Sequence, residues 1–411
     1  MKRRELIFFI LTAVVVYYLY QFIATSLVLR QPVVNSGDLV NRRHVSPQKL
    51  YDESWKVIKK DYIDSSYNSQ DWKRWRGKYN GKLKTDEDAR VAVETMVASL
   101  DDNYTRFLTQ KEYTEQANSI DSHITGVGVN IMSKAGTTVI YSVIEGTPAE
   151  KAGLRAGDVV LSVDGKSASG LDISKVAEII RGPENSCVTL KLKRGKYTLI
   201  RKIIRKKIEI KSVEASVKSN NIGYIKIKSF IGSNTASDFV SALKTVDKTK
   251  GLILDLRGNT GGLLTNAVIV ANLFVNDGVI VSIVSKKGRK HDITAQMSMP
   301  VVKKPMVVLV DGASASASEI LSGALKDNKK AVLVGTRTFG KGLVQQIVPL
   351  PNGTGINITI AKYLTPDGSD INKKGIEPDY KVEYTMKDFL KRNDTQLKKA
   401  EDVLLKLCET K

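Results

Sequence analysis

Residues 306–320 read Met306-Val307-Val308-Leu309-Val310-Asp311-Gly312-Ala313-Ser314-Ala315-Ser316-Ala317-Ser318-Glu319-Ile320. The opening run is apolar, largely β-branched and without a polar face, as suits a strand buried on both sides of a sheet. Asp311-Gly312 breaks it. Beyond the break, Ile320, Leu321, Ala324 and Leu325 recur at helical spacing, so a helix is expected over about 316–326. The same order recurs on either side. An apolar run at 251–256 leads through Gly258-Asn259-Thr260-Gly261-Gly262 into an apolar helical stretch at 263–274, and a third run lies at 331–334. Buried runs alternating with helices predict an α/β sheet from residue 208 onward. From 386 the chain is Lys-rich and reads as a C-terminal helix.

Upstream, residues 121–207 read as a compact, strand-rich module. Thr137–Val143 is β-branched and apolar. Thr147-Pro148 opens a short helix that Gly153 closes. Val159–Val163 ends at the Asp164-Gly165 turn. Ile173, Val176, Ala177 and Ile180 form a helical stripe stopped by Gly182-Pro183. Val188, Leu190 and Leu192 alternate with Thr189, Lys191 and Lys193, the pattern of a half-buried strand. Residues 50–118 are helical in pattern and hold Trp55, Trp72 and Trp75, which read as core. The clearest helix there is 86–100, with Val91, Ala92, Met96, Val97 and Leu100 as its apolar stripe. Residues 31–48, with Pro32, Asn35, Ser36, Gly37 and Pro47, read as a linker.

The chain has 411 residues, enough for two or three domains, and 64 Lys+Arg against 43 Asp+Glu, a net charge of +21. Its 2 Cys exclude a disulfide-dense scaffold, and its 3 His (His44, His123, His291) form no metal-binding pair. Lys2, Arg3 and Arg4 precede an uncharged stretch at 6–29, about 36 Å long as a helix at ~1.5 Å per residue, against a bilayer core of ~30 Å. Its length favours an uncleaved signal anchor. Residues 6–16 alone suffice for a cleavable signal with a cut near 24–26, and the choice stays open. The basic cluster puts the N-terminus in the cytoplasm and the rest of the chain outside it. That argues against nucleic acid as the reason for the positive charge and leaves an anionic lipid surface or wall polymer.

Two motifs fail on inspection. The stretch 335–342 is close to a phosphate-binding loop, but Gly342 stands where Ser or Thr must follow Lys341, and strand-like residues come next. Gly312-Ala313-Ser314 is close to a nucleophile elbow, but Ser316 replaces its last glycine and no His lies downstream of His291. Ser and Lys remain. Ser314, Ser316 and Ser318 lie between a buried strand and a helix N-terminus, where oriented N–H donors gather; any of them can instead cap the helix. Lys341, flanked by Gly340 and Gly342 beside Phe339, can enter a tight apolar place where desolvation lowers its pKa. Such a lysine can activate a serine. Gln345, four residues on, shares a face with Lys341 in an extended strand and can hold its amine.

Taken together, Asp255-Leu256-Arg257-Gly258-Asn259-Thr260-Gly261-Gly262-Leu263, Ser314-Ala315-Ser316-Ala317-Ser318-Glu319-Ile320 and Phe339-Gly340-Lys341-Gly342 resemble carboxyl-terminal processing proteases, the tail-specific, PDZ-containing serine peptidases. So do 363–368, 374–379, and Leu100-Asp101-Asp102 with Tyr104 and Phe107-Leu108. Within 121–207, Gly126-Val127-Gly128-Val129, Gly146-Thr147-Pro148-Ala149 and 152–158 resemble a PDZ domain. The resemblance implies a multidomain α/β and α+β chain: anchor or signal at 1–30, linker and helical region at 31–118, PDZ domain at 119–207, a crotonase-like Ser–Lys core at 208–385, and a C-terminal helix at 386–411.

The resemblance puts the nucleophile on Ser316, the general base on Lys341 and a supporting amide on Gln345. It implies an oxyanion hole from the N–H of Ala317 and of Gly261 or Gly262, the second matching better. Asp327 matches an acidic position expected to be structural. Gly126, Val127, Gly128 and Val129 would bind a peptide carboxylate. The implied protein is a single-pass membrane endopeptidase with an extracytoplasmic catalytic part. It cuts proteins with accessible, apolar C-terminal tails, and needs no metal or cofactor. Adaptor proteins and a homo-oligomer are partners the resemblance allows.

Overall fold

The computed structural model describes residues 44–409 except 121–122, 135, 145, 210–211, 297–301, 386, 389–390 and 392. The apolar stretch 6–29, expected to be an anchor or signal, lies outside the described residues. Among those described, no helix is long and apolar enough to cross a membrane. The chain forms two compact units, one containing residues 118–211 and the other containing the segments on either side.

The larger unit is built on a six-stranded sheet, in the order Val213–Lys218, Ile222–Ile227, Gly251–Asp255, Met306–Val310, Val332–Gly335 and Tyr380–Lys381. The first pair is antiparallel and the others are parallel. Every residue of Gly251–Asp255 and Met306–Val310 is buried, because both faces of the sheet are covered. Leu252, Leu254 and Val308 pack under the helices Thr235–Thr245, Leu264–Asn272 and Ala317–Asp327, with Phe239, Ala267 and Leu321. Ile253, Val307 and Leu309 point the other way, toward Ala400 and Leu404 of the helix Thr395–Glu409. Alternation along the strand thus feeds two cores. Toward the C-terminus residues 387–388 are helical, and a further helix, Thr395–Glu409, is capped by the Asp394 carboxylate, which accepts the N–H of Leu397 at 2.9 Å.

A second sheet joins Arg106–Leu108, Gly355–Leu364, Val279–Ser285 and Lys290–Thr294, with Leu343–Pro349 also paired to Gly355–Leu364. The N-terminal helices Pro47–Asp61 and Asp86–Ala98 pack against it, their Leu50, Trp55 and Met96 meeting Ile356 and Ile358. All three tryptophans are buried there. The expected stripe of the second helix needs correction. Val91 is 48% exposed, and Ala89, Ala92, Val93, Met96 and Val97 face inward. Those positions follow the i, i+3, i+4, i+7 rule from Ala89, and Val91 lies on the opposite side.

The smaller unit has an antiparallel sheet in the order Val129–Lys134, Thr137–Val143, Val159–Val163, Cys187–Arg194 and Tyr197–Ile204. Val129–Lys134 is an edge strand, and the helix Ile173–Ile180 packs beside it. That helix ends against the buried Arg205 guanidinium, which donates to the carbonyls of Ile179 and Ile180 at 3.0 and 2.9 Å. A Cβ at Gly182 would come within 2.8 Å of the same side chain, so glycine is required there. Cys187 and Cys408 are both unpaired.

Three neighbouring parallel strands, Gly251–Asp255, Met306–Val310 and Val332–Gly335, end on one side of the large sheet. Their exits are the glycine-rich loop, the serine loop and the lysine loop, so the topology alone gathers the residues of interest at the carboxyl ends of adjacent strands. Arg257 locks the first exit. It pairs with Asp255, which is 0% exposed, at 2.7 Å and with Asp394 at 2.8 Å, while Tyr224 donates to Asp255 at 2.7 Å. Although burial works to raise it, the Asp394 carboxyl is held below its ordinary value by Arg257 and the Leu397 N–H. Arg257→Leu strands a buried carboxylate and is expected to cost about 3 kcal/mol in denaturant unfolding at neutral pH. A carboxyl held low stabilises above its unfolded pKa and loses that contribution as pH falls. The gap between variant and wild type should therefore narrow below about pH 4.

Candidate active site

The serine loop is organised by hydrogen bonds that leave one hydroxyl of three accessible. The Asp311 carboxylate accepts the N–H groups of Gly258, Ala313 and Ser314, each at 3.0 Å. Ser314 Oγ donates to the Leu256 carbonyl at 2.9 Å and Ser318 Oγ to the Asn259 carbonyl at 2.8 Å; both residues are 0% exposed. These serines stitch the loop to its neighbour. Ser316 between them is half-buried, and it enters the helix Ala317–Asp327 at φ 55°, ψ −115°. Non-glycine residues rarely take that conformation, which costs on the order of 1–3 kcal/mol. A strained serine on a strand-to-helix turn has the backbone form of a nucleophile elbow. The sequence motif fails at 312–316, yet the geometry arises four residues past Gly312. The glycine such a turn needs comes from the adjacent loop: a Cβ at Gly261 would lie 2.8 Å from Ser316 Cβ and 2.7 Å from the Ala315 carbonyl oxygen.

Glu319 connects this turn to the lysine loop. Its carboxylate is 0% exposed. One oxygen accepts the N–H of Ser316 and the N–H of Lys341, each at 2.9 Å. The other accepts the Gly340 N–H at 2.7 Å and the Thr338 hydroxyl at 2.6 Å. The two amide nitrogens sharing one oxygen can be no further apart than twice their common distance. A second bridge is the buried Tyr363 hydroxyl, which donates to the Lys341 carbonyl and lies 3.2 Å from the Ser316 carbonyl oxygen. Phe339 N–H donates to the Ser314 carbonyl at 3.0 Å. Serine and lysine are thus held together through their backbones at three points.

The Lys341 side chain is half-buried, and burial holds its amine below the ordinary lysine range, with the negative charge of Glu319 opposing. Its Nζ lies over the ring of Tyr104, 4.9 Å from the centroid. After Lys341 and Gly342 the chain runs into the strand Leu343–Pro349, not the helix of a phosphate-binding loop. Gln345 lies in that strand, immediately after a register irregularity between Val344 and Gln345. Lys341 precedes the strand, so even spacing does not itself put the two on one face. Among the described residues, the buried Gln345 Nε2 has no hydrogen-bond acceptor.

Two N–H groups close to Ser316 have no acceptor among the described residues: Ala317, the first residue of the helix, and Gly262. The Gly261 N–H is taken by Asn259 Oδ1 at 2.9 Å. Gly262, at φ 145°, has the Ile231 nitrogen 2.2 Å from where a Cβ would lie. Asp327, at the far end of the helix, accepts the N–H of Asp367 at 3.1 Å. Gly126, Val127, Gly128 and Val129 belong to the smaller unit. Val127 is buried there, and Gly128 has φ 92° where a Cβ would meet Thr147 at 2.3 Å.

A partly open serine on a strained turn, a helix N-terminus behind it and a desolvated lysine beside it are the parts of a serine-type hydrolase. Comparison with known proteins narrows the class. Peptidase family S41 matches residues 221–382 and the PDZ domain matches 139–194. The chain is 36% identical to the carboxyl-terminal-processing protease of Synechocystis sp. over 87% of its length and 86% of that protein. It is 36% identical to the carboxy-terminal processing protease CtpA of Bacillus subtilis over 93% and 78%. Among solved structures, the photosystem II D1 C-terminal processing protease aligns with a TM-score of 0.57 and 35% identity, over 82% of this chain and 94% of that one. The chain belongs to peptidase family S41, among the carboxyl-terminal processing proteases, and is a serine peptidase with a PDZ domain.

Sequence reasoning missed Glu319 as the clamp, although Ser316-Ala317-Ser318-Glu319 has the spacing by which a residue at N3 reaches back to the N-cap N–H. Tyr363 opens the family-like stretch 363–368, but nothing local marked it as a bridge between the serine and lysine loops. The clamp predicts that Glu319→Gln, which turns an amide N–H₂ against backbone donors, lowers kcat/KM about 100-fold by displacing the serine and lysine. It should cost about 2 kcal/mol in stability. Steady-state kinetics alongside thermal unfolding check both.

Proposed function

We propose that the chain is an extracytoplasmic endopeptidase that cleaves proteins selected by their C-terminal tails, with Ser316 as nucleophile and Lys341 as general base. The observation that carries this is the isolation of Ser316: both neighbouring serines are buried and bonded, while Ser316 stands on the strained turn beside two N–H groups without acceptors. Neutral Lys341 takes the Ser316 Oγ proton as the oxygen attacks a peptide carbonyl carbon. The resulting oxyanion is held by the N–H groups of Gly262 and Ala317, aided by the helix N-terminus. The lysine ammonium then gives its proton to the departing amine nitrogen and the C–N bond breaks, leaving a Ser316 ester. Water, losing a proton to the again neutral lysine, attacks the ester; the lysine returns that proton to Ser316 Oγ as the C–O bond breaks, and the new carboxyl terminus leaves. In this reading the buried, acceptor-less Gln345 amide is a polar group available to orient the base. Exposed Phe339 and Ile231, beside Lys341 and Gly262, suit apolar substrate residues.

In the same reading the peptide carboxylate binds at Gly126-Val127-Gly128-Val129, and the tail adds as a strand along the edge Val129–Lys134. Residues 6–29 anchor the chain in the membrane with its catalytic part outside the cytoplasm. Resistance to carbonate extraction, together with digestion of the catalytic part by external protease, tests that placement; a chain shielded inside sealed cells would refute it.

Ser316→Ala and Lys341→Ala should each lower kcat/KM for a tailed protein substrate at least about 1,000-fold. Because the base works neutral and burial lowers its pKa, wild-type activity should rise with pH and level off below the ~10.4 of a free lysine. Amidating the substrate C-terminus should raise KM about tenfold through loss of a charged contact, with kcat on short untailed peptides unchanged. Equal KM for acid and amide forms would remove tail recognition from the reading.

A further inference from the structure

Tyr104 lies 237 positions before Lys341 in the chain's other arm of the larger unit, yet its ring is the aromatic surface against which the lysine amine rests, with Nζ 4.9 Å from the centroid. The separation follows from the sequence numbers themselves. We propose that Tyr104 is a positioning residue for the base: its ring face seats the Lys341 ammonium and keeps the amine beside Ser316 throughout the proton transfers.

The placement is built. Asp101 takes φ 53° to turn the chain out of the N-terminal helix. The Asp102 carboxylate then accepts the Tyr104 N–H at 3.0 Å and the Thr105 hydroxyl at 2.6 Å. Thr105 Oγ1 in turn accepts the Thr359 N–H at 3.0 Å, and Asn357 Nδ2 donates to the Tyr104 carbonyl at 2.9 Å. Thr359 and Asn357 belong to Gly355–Leu364, the strand paired to Leu343–Pro349, which directly follows the lysine loop. The tyrosine and the lysine thus stand in the loops that lead into Arg106–Leu108 and Leu343–Pro349, two strands that both pair with Gly355–Leu364.

The groups facing Lys341 come from three elements. Glu319 reaches it from the serine helix, and Tyr104 from the loop before Arg106–Leu108, with Asp102 acting on Tyr104. Tyr363 donates to the lysine carbonyl. Burial favours the neutral amine, while the ring quadrupole and Glu319 favour the ammonium. The Tyr104 hydroxyl is itself pushed up by burial and by Asp102 and Glu319, so it stays protonated and the ring acts through its face. The ring matters most after Ser316 has lost its proton, when the ammonium must wait for the leaving amine.

This inference rests on Lys341 being the base, and the test separates the two. Phenylalanine, trifluorophenylalanine and pentafluorophenylalanine are installed in place of Tyr104 in the full-length chain; all keep the ring shape, and the fluorinated two drain its face of negative charge. Competitive amine labelling of Lys341 across pH, read by mass spectrometry, reports its titration whether or not the protein cleaves anything. Tyr104→Phe, which keeps the face of the ring, sets the reference Lys341 midpoint for the series. The fluorinated rings should lower the Lys341 midpoint progressively, by about 0.5–1 unit for the pentafluoro ring. The acid limb of kcat/KM should move down with it while the alkaline plateau falls several-fold. Identical midpoints for phenylalanine and pentafluorophenylalanine would overturn the role of the ring. A midpoint that moves with the ring while Lys341→Ala keeps full activity would instead overturn the assignment of the base.

Discussion

A carboxylate with no exposed surface has to be surrounded by donors, because the cost of leaving it bare in a low-dielectric interior is several kcal/mol. Glu319 meets that demand with three backbone N–H groups and a hydroxyl, and its donors come from two chain segments about 22 residues apart. The side chain therefore does not simply fill space in the serine helix. Its need for donors fixes where the lysine loop can run relative to the serine turn. Thr338 extends the network by accepting the Ile376 N–H at 2.7 Å, so the segment around 376 is bound into the same arrangement.

The strain at Ser316 is tolerable because what lies beneath it cannot yield. The strand Met306–Val310 is buried on both faces, between helices on one side and the C-terminal helix on the other. Such interiors are packed like crystals and transmit displacement instead of absorbing it. Asp311, Ser314 and Ser318 then fasten the turn to the glycine-rich loop. The positive φ of Ser316 is over-determined by these contacts, which is the condition under which strained backbone persists. One consequence is chemical: the turn places the serine at the helix N-terminus, where the Ala317 N–H has no acceptor among the described residues and, in the proposed mechanism, meets the oxyanion.

The α/β core was legible in the sequence because its signals are local. Met306–Val310 is apolar throughout since both faces are buried, and the stripe Ile320, Leu321, Ala324, Leu325 is the buried face of the helix that follows. The mistakes have local causes too. Val91 was read into the wrong stripe because valine is apolar wherever it sits, whereas the full i, i+3, i+4 set starting at Ala89 marks the buried face. Lys341 and Gln345 were related by strand spacing, but the first precedes the strand and a register irregularity precedes the second. Tyr104 and Tyr363 escaped altogether as partners of the lysine. Their contacts join residues hundreds or tens of positions apart, and one sequence carries no measure of such distances.

In the mechanism proposed for it, Lys341 is an awkward base, and its surroundings suit that role. In water it is an ammonium at neutral pH and takes no proton. Burial alone would neutralise it but would also make the ammonium of the tetrahedral stage costly, raising the barrier it is meant to lower. Here burial is set against the Glu319 charge and the Tyr104 ring. Glu319 acts without a direct ion pair, since its oxygens are committed to backbone N–H groups and the Thr338 hydroxyl. A direct pair would hold the lysine charged at rest; a carboxylate one backbone link away moderates the cost of the ammonium without locking it. The ring does the same by geometry, offering a cation a favourable face and a neutral amine nothing worse than an apolar contact. A base that must be neutral before attack and charged after it is best served by partners of this middling strength.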